Sequence, residues 1–265
     1  MQSLNSIPEE IQEQHGIAPR PRENPVWGFS DVILIAVFAL FSLVSLLGLA
    51  VALAHSSRHF HDASALKLAE NALILVPAQV IGSVLIVAFM VQIVRLKYHV
   101  DFAKAICWNR PALPTIVLAT IGGAGLAILS ETASVMLQKW IPKSLPIDEL
   151  FRDTRSAYLL SFLGVVVAPV VEELFFRGFL YPVLARATGV VAGVLLTSAA
   201  FAVIHAGQLA QAWIPLLVIF GVGVALTTVR ARTKSVATTV LMHMAYNATI
   251  FGLVFISTQG FRHMG

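Results

Sequence analysis

Apolar residues gather in seven long runs, at about 29–54, 70–94, 114–138, 156–187, 190–206, 212–230 and 236–257, with short polar stretches between them. A helix rises about 1.5 Å per residue, so roughly 20 apolar residues cross a hydrocarbon core. The pattern therefore predicts an all-α, polytopic transmembrane helix bundle of seven to eight spans. The eighth arises if a longer run is broken or if part of 139–155 re-enters the membrane. The fourth run has a clean apolar first half and a mixed second half that ends near Arg186. Before it, WIPKSLPIDELFRDT (140–154) mixes Trp140 with prolines and acids. That composition predicts a connector lying at the membrane surface as a loop or short amphipathic helix, from which a gate could also be built. Residues 1–28 are polar and carry Pro8, Pro19, Pro21 and Pro25, which predicts a disordered tail; 258–265 form a short C-terminal tail.

Composition sharpens this picture. Hydrophobic residues make up 57% of the 265, charged residues only 12%, about half the usual share in a soluble domain. Mean hydropathy is +0.82. The chain is thus an integral, multi-pass membrane protein whose first partner is the lipid bilayer. A net charge of +4 fits lysine and arginine in short membrane-flanking loops, and no basic run suggests nucleic acid. With the N-terminus inside, eleven Lys and Arg fall on the inner side and seven on the outer, which favours a cytoplasmic N-terminus. The first 28 residues lack the basic start and apolar stretch of a cleaved signal peptide, and the C-terminus carries no lipidation box. Cys107, the single cysteine, excludes an internal disulfide. No internal repeat is visible, which weakens an inverted-repeat transporter.

The informative positions are polar residues inside apolar runs. VVEELFFRGF (170–179) sets Glu172, Glu173 and Arg177 where a span should still be hydrophobic. Each such charge costs about 2.5–3.5 kcal/mol at a helix centre on insertion scales, and such residues mark function. Glu173 and Arg177 stand four apart and share a helix face, with the acid on the favoured N-terminal side. Glu172 points roughly 100° away. Arginine can therefore hold Glu173 while Glu172 stays available; the competing reading is three solvated charges past a helix end. FAVIH (201–205) brings His205 to the end of a second apolar run, and HMAYN (243–247) puts His243 and Asn247 on one face of a third.

If these segments pack as neighbours, Glu172, His205, His243 and Asn247 converge on one pocket. A glutamate of raised proton affinity takes a proton from water, with a histidine orienting it. A second histidine and an asparagine amide donate to the oxyanion that forms at an attacked carbonyl. Peptide hydrolysis is the reaction that needs these types together. Glu172, His205 and His243 would also make a three-ligand zinc set. The helical H-E-x-x-H arrangement is absent, however, and asparagine is a poor zinc ligand, so a metal-independent glutamate mechanism is favoured. A proton-coupled transporter using the acids and histidines as a relay, and a non-catalytic membrane scaffold, are the alternatives from other classes.

The ordered set EELFFR (172–177), FAVIH (201–205) and HMAYN (243–247) resembles the CAAX protease and bacteriocin-processing (CPBP, or Abi) family of intramembrane endopeptidases, also called type II CAAX prenyl endopeptidases. The resemblance covers about 156–257 and implies a catalytic membrane core there, with 29–155 as N-terminal helices and an interfacial loop. It implies Glu172 as general base assisted by His205, His243 and Asn247 as the oxyanion pair, and Glu173 and Arg177 in support. The substrate it implies is a membrane-associated protein or peptide, prenylated in some members, and the family is often catalogued as metalloproteases.

Smaller features have plainer readings. GVVAG (189–193) and Gly221 with Ala225 fit small-residue helix contacts. Glu131 and Gln138 read as a wet helix end. His55, His59 and His61 read as a solvated loop.

Overall fold

The computed structural model describes residues 25–57, 60, 62–151 and 153–263. It is 80% helical, with no strand among the described residues, as expected for a polytopic all-α bundle. The long elements are α1 (Phe29–His55), α3 (Ala72–Gln92, continued by a π-helical Ile93–Lys97), α5 (Leu113–Met136), α10 (Trp213–Thr233) and α11 (Val236–Ser257). Short helices α2 (Ala65–Ala69) and α4 (Phe102–Ala105) cap loops. A further 35-residue helix runs Thr154–Thr188. It comprises α6 (Thr154–Phe162), α7 (Ala168–Glu173) and α8 (Tyr181–Thr188), joined by π-helical Leu163–Val167 and Leu174–Leu180.

Six of these helices are long and apolar enough to cross a membrane. The fifth run is the exception: α9 (Val190–Ile204) has 15 residues, about 22 Å, short of a full crossing. Its ends are set by backbone that leaves the helix. Gly189 sits at φ +87°, a conformation glycine adopts without strain, and the turns after Ile204 put Ala210 and Gln211 at φ 49° and 57°.

Each π stretch of the long helix lies one turn before a proline, Pro169 or Pro182. Proline cannot donate to the carbonyl four residues back and its ring clashes with it, so the helix widens there. Carbonyls in the widened turns take donors from other parts of the chain. Asn247 Nδ2 donates to Gly164 O at 2.6 Å, Arg230 Nε to Arg177 O at 3.2 Å, and Trp27 Nε1 to Phe179 O at 3.1 Å. The prolines thus turn a single span into a point of attachment for its neighbours.

Small residues set the close approaches. A Cβ at Gly123 would collide with Met242 O and come within 2.9 Å of Ala245 Cβ, so α5 and α11 pack backbone to backbone there. In GVVAG only Gly193 is a packing residue, its would-be Cβ 2.8 Å from Ala185 on α8, while Gly189 makes the turn. The contact expected at Gly221 belongs instead to Gly223, which faces Ser198 of α9 at 3.1 Å; at Gly221 nothing lies within 4 Å. Leu40, Phe41, Leu118, Val191 and Ile256 are exposed on the outside of the bundle, as lipid-facing residues are.

The polar N-terminal stretch ends sooner than its composition suggests. Trp27 is buried and stacked on Phe179 with ring centroids 4.4 Å apart, and Arg186 holds the Pro25 and Trp27 carbonyls at 3.0 and 3.2 Å. An aromatic ring with a donor edge finds both needs met on the long helix, so 25–28 dock on it; the remainder of the tail, 1–24, lies outside the described residues. Phe261 in the C-terminal tail is likewise buried, its carbonyl accepting from Thr154 Oγ1 at 2.8 Å. Between α5 and α6 a 3-10 turn Gln138–Trp140 leads into the 140–154 connector, which itself forms the 3-10 turn Pro146–Phe151. Ile147 N of this connector donates to Gln208 O in the turn after α9. Of the three loop histidines, His55 ends α1, while His59 and His61 lie outside the described residues.

Candidate active site

The long helix, α9, α10 and α11 all contribute to one buried polar cluster. At its base is the Glu173–Arg177 pair, Arg177 Nη1 donating to Glu173 Oε1 at 2.8 Å with both side chains 0% exposed. An ion pair this deep needs its remaining groups satisfied from neighbouring elements, because desolvation of each charge costs several kcal/mol. Arg177 meets that need on α10: Nε donates to Thr227 Oγ1 and Nη2 to Gly223 O, each at 3.1 Å. Its guanidinium also lies 4.5 Å from the ring centroid of Phe201 on α9.

Glu173 does more than hold its own helix. Its Oε1 is 2.9 Å from His243 Nδ1 on α11. An ionised carboxylate only accepts, so Nδ1 carries the hydrogen and donates. This sets the ring of His243, whose Nε2 then faces Glu172 Oε2 at 3.8 Å. That gap is beyond a direct hydrogen bond and suits a bridging water. Glu172 is the exposed member of the acid pair, 24% against 0%. Adjacent acids on one helix are separated by their angle about its axis, so one is buried in a charge network and the other opens outward.

The other two residues sit at the edges. Asn247, one turn beyond His243, uses one amide hydrogen on Gly164 O, leaving the second for another acceptor. His205 ends α9, with Nδ1 2.7 Å from Phe201 O; a carbonyl only accepts, so Nδ1 carries the hydrogen and Nε2 is left facing away from that bond. No hydrogen bond or ion pair joins His205 to Glu172. Its link to the cluster is Phe201, whose ring is 4.9 Å from that of His205 and 5.9 Å from that of His243. Among the described residues no three His, Cys, Asp or Glu side chains gather so as to hold a metal ion. The set Glu172, His205 and His243 is therefore not assembled as ligands in this arrangement, since His205 is turned to its own helix.

Sequence reasoning did not single out Thr227, Gly223 or Arg230. The signal was a threonine pair and an arginine inside the apolar run 212–230, but a threonine in a membrane helix usually bonds its own backbone, as Thr227 also does to Gly223 O at 2.7 Å. No curated protein and no solved structure matches the chain. Residues 154–249, which carry Glu172, Glu173, Arg177, His205, His243 and Asn247, match the family model of the Rce1-like type II CAAX prenyl endopeptidases, a family of CAAX-type intramembrane proteases.

Proposed function

We propose that this protein is an intramembrane endopeptidase that hydrolyses peptide bonds of membrane-associated proteins or peptides, with Glu172 as general base. The observation that carries the reading is the relation of Glu172 to His243. The open carboxylate stands 3.8 Å from Nε2, while the other ring nitrogen is held by a fully buried carboxylate–arginine pair.

A water between substrate and Glu172 gives a proton to the carboxylate as its oxygen attacks the carbonyl carbon. His205, with Nδ1 occupied, offers Nε2 as an acceptor to orient that water. The carbonyl π electrons move to oxygen, and the oxyanion is met by the second amide hydrogen of Asn247 and by Nε2–H of His243. With Nδ1–H committed to Glu173, that donor is the imidazolium form, and the Glu173 carboxylate beside it stabilises the charge. Collapse reforms the carbonyl, the C–N bond breaks, and Glu172 returns its proton to the leaving amine. The scheme uses no metal ion.

The test uses purified protein in detergent with a fluorogenic farnesylated C-terminal peptide and a non-prenylated membrane peptide. Wild type is run beside Glu172→Gln, with and without a strong chelator. The expected result is cleavage by wild type, surviving chelator, and a loss of about 10²–10⁴-fold in Glu172→Gln at unchanged melting temperature. Cleavage by Glu172→Gln at the wild-type rate would remove Glu172 from the mechanism. Substrate-dependent ion flux in liposomes without product would replace the protease reading with a relay.

A further inference from the structure

Helix α10 supplies none of the residues assigned chemistry above, yet it makes three hydrogen bonds to the Arg177 residue. Thr227 Oγ1 and Gly223 O take Nε and Nη2, and Arg230 Nε donates to the Arg177 carbonyl at 3.2 Å. Gly223 O also accepts from Thr227 Oγ1, so the hydroxyl has a fixed direction: its hydrogen points to Gly223 and a lone pair to Arg177. Thr227, Arg177 and Glu173 are all 0% exposed, so their mutual hydrogen bonds act away from bulk solvent. The next link leads to the site. Glu173 Oε1 accepts from both Arg177 and His243, while its Oε2 is buried with no partner. Its carboxylate is oriented by the guanidinium and the imidazole, both on Oε1, with Thr239 of α11 beside it. If Arg177 turns, Oε1 loses the ion pair that holds it under His243.

We propose that Thr227 is a positioning residue for this site, fixing the Arg177 guanidinium so that Glu173 holds the His243 ring toward Glu172. The hydroxyl acts through two intermediates, Arg177 and Glu173, and touches no substrate. The proposal rests on the protease reading for its kinetic consequence and on geometry alone for its structural one.

The full chain in detergent is compared as wild type, Thr227→Val and Thr227→Ser. Valine keeps the shape but removes the acceptor; serine keeps the hydroxyl. For Thr227→Val the expected result is a fall in kcat of about ten- to a hundredfold, the range for a lost hydrogen bond to a charged group, with KM within about twofold. Its kcat–pH profile moves relative to wild type, and Thr227→Ser restores both kcat and profile. A folded Thr227→Val with wild-type kcat and pH profile overturns the proposal. So does a folded Thr227→Ser with kcat about tenfold or more below wild type, because the methyl's packing would then be the cause; this arm decides even if valine does not fold. The second readout is independent of activity: the imidazole ¹⁵N and proton resonances of His243, assigned with His243→Gln. Wild type and Thr227→Ser should show a protected Nδ1–H that Thr227→Val loses or shifts, and an unchanged signal in folded Thr227→Val overturns the proposal. Should wild type cut no peptide, the protease reading fails and this spectrum alone decides for Thr227.

Discussion

Replacing Trp27 tests whether the N-terminal segment is structurally part of the core around the long helix. Two contacts are lost in Trp27→Ala. The indole N–H to Phe179 O, at 3.1 Å and buried, contributes a net of about 0.5–1.5 kcal/mol. The stack on Phe179, at 4.4 Å, contributes about 0.5–1.5 kcal/mol more. Transfer from water adds little, because a ring released at a membrane boundary still has lipid to enter. The expected destabilisation is then about 1–3 kcal/mol. Trp27→Phe keeps a ring for the stack and loses the donor, so it should show roughly half of that. The assay is unfolding in mixed detergent–SDS micelles, with the shift in midpoint converted at constant slope. A Trp27→Ala midpoint within about 0.5 kcal/mol of wild type, the scatter of ordinary surface substitutions, would refute the argument. Equal losses for alanine and phenylalanine would assign the whole effect to the hydrogen bond.

Two further outcomes follow from other contacts. In Gly164→Ala the new Cβ would sit 2.8 and 3.1 Å from the Phe251 ring, so overpacking should cost about 1–3 kcal/mol. Because Gly164 O also holds Asn247, kcat in the peptide assay should fall further than stability explains; unchanged midpoint and kcat would contradict both contacts. Asp153 caps the long helix through the amides of Arg155 and Ser156, and Asp153→Ala should cost about 1 kcal/mol near neutral pH. The Ser156 hydroxyl and amide hold the Asp153 carboxyl below its usual range, so its contribution is complete above the unfolded-state value near 3.9 and fades as pH falls through the lower folded value. The gap between wild type and Asp153→Ala, measured by unfolding midpoint, should therefore close on acidification; a constant gap would sink the assignment.

Hydropathy alone determined the all-α membrane architecture and most of the spans, because a lipid-crossing helix must satisfy its own backbone and present an apolar surface over a set length. The Glu173–Arg177 contact was legible for a related reason: residues four apart on one helix meet wherever that helix packs. The shortness of α9 was not legible, since the turns that end it at Gly189 and after Ile204 are backbone choices that an apolar count ignores. Nor was the docking of Trp27, which the polar, proline-bearing context disguised. Tertiary structure alone decided which acid hydrogen-bonds His243 directly, that His205 bonds its own helix, and that Thr227 and Gly223 receive Arg177. Those partners lie up to 70 residues apart in the chain. Their meeting depends on where proline-widened turns and small residues let helices approach, and only the packed bundle holds that information.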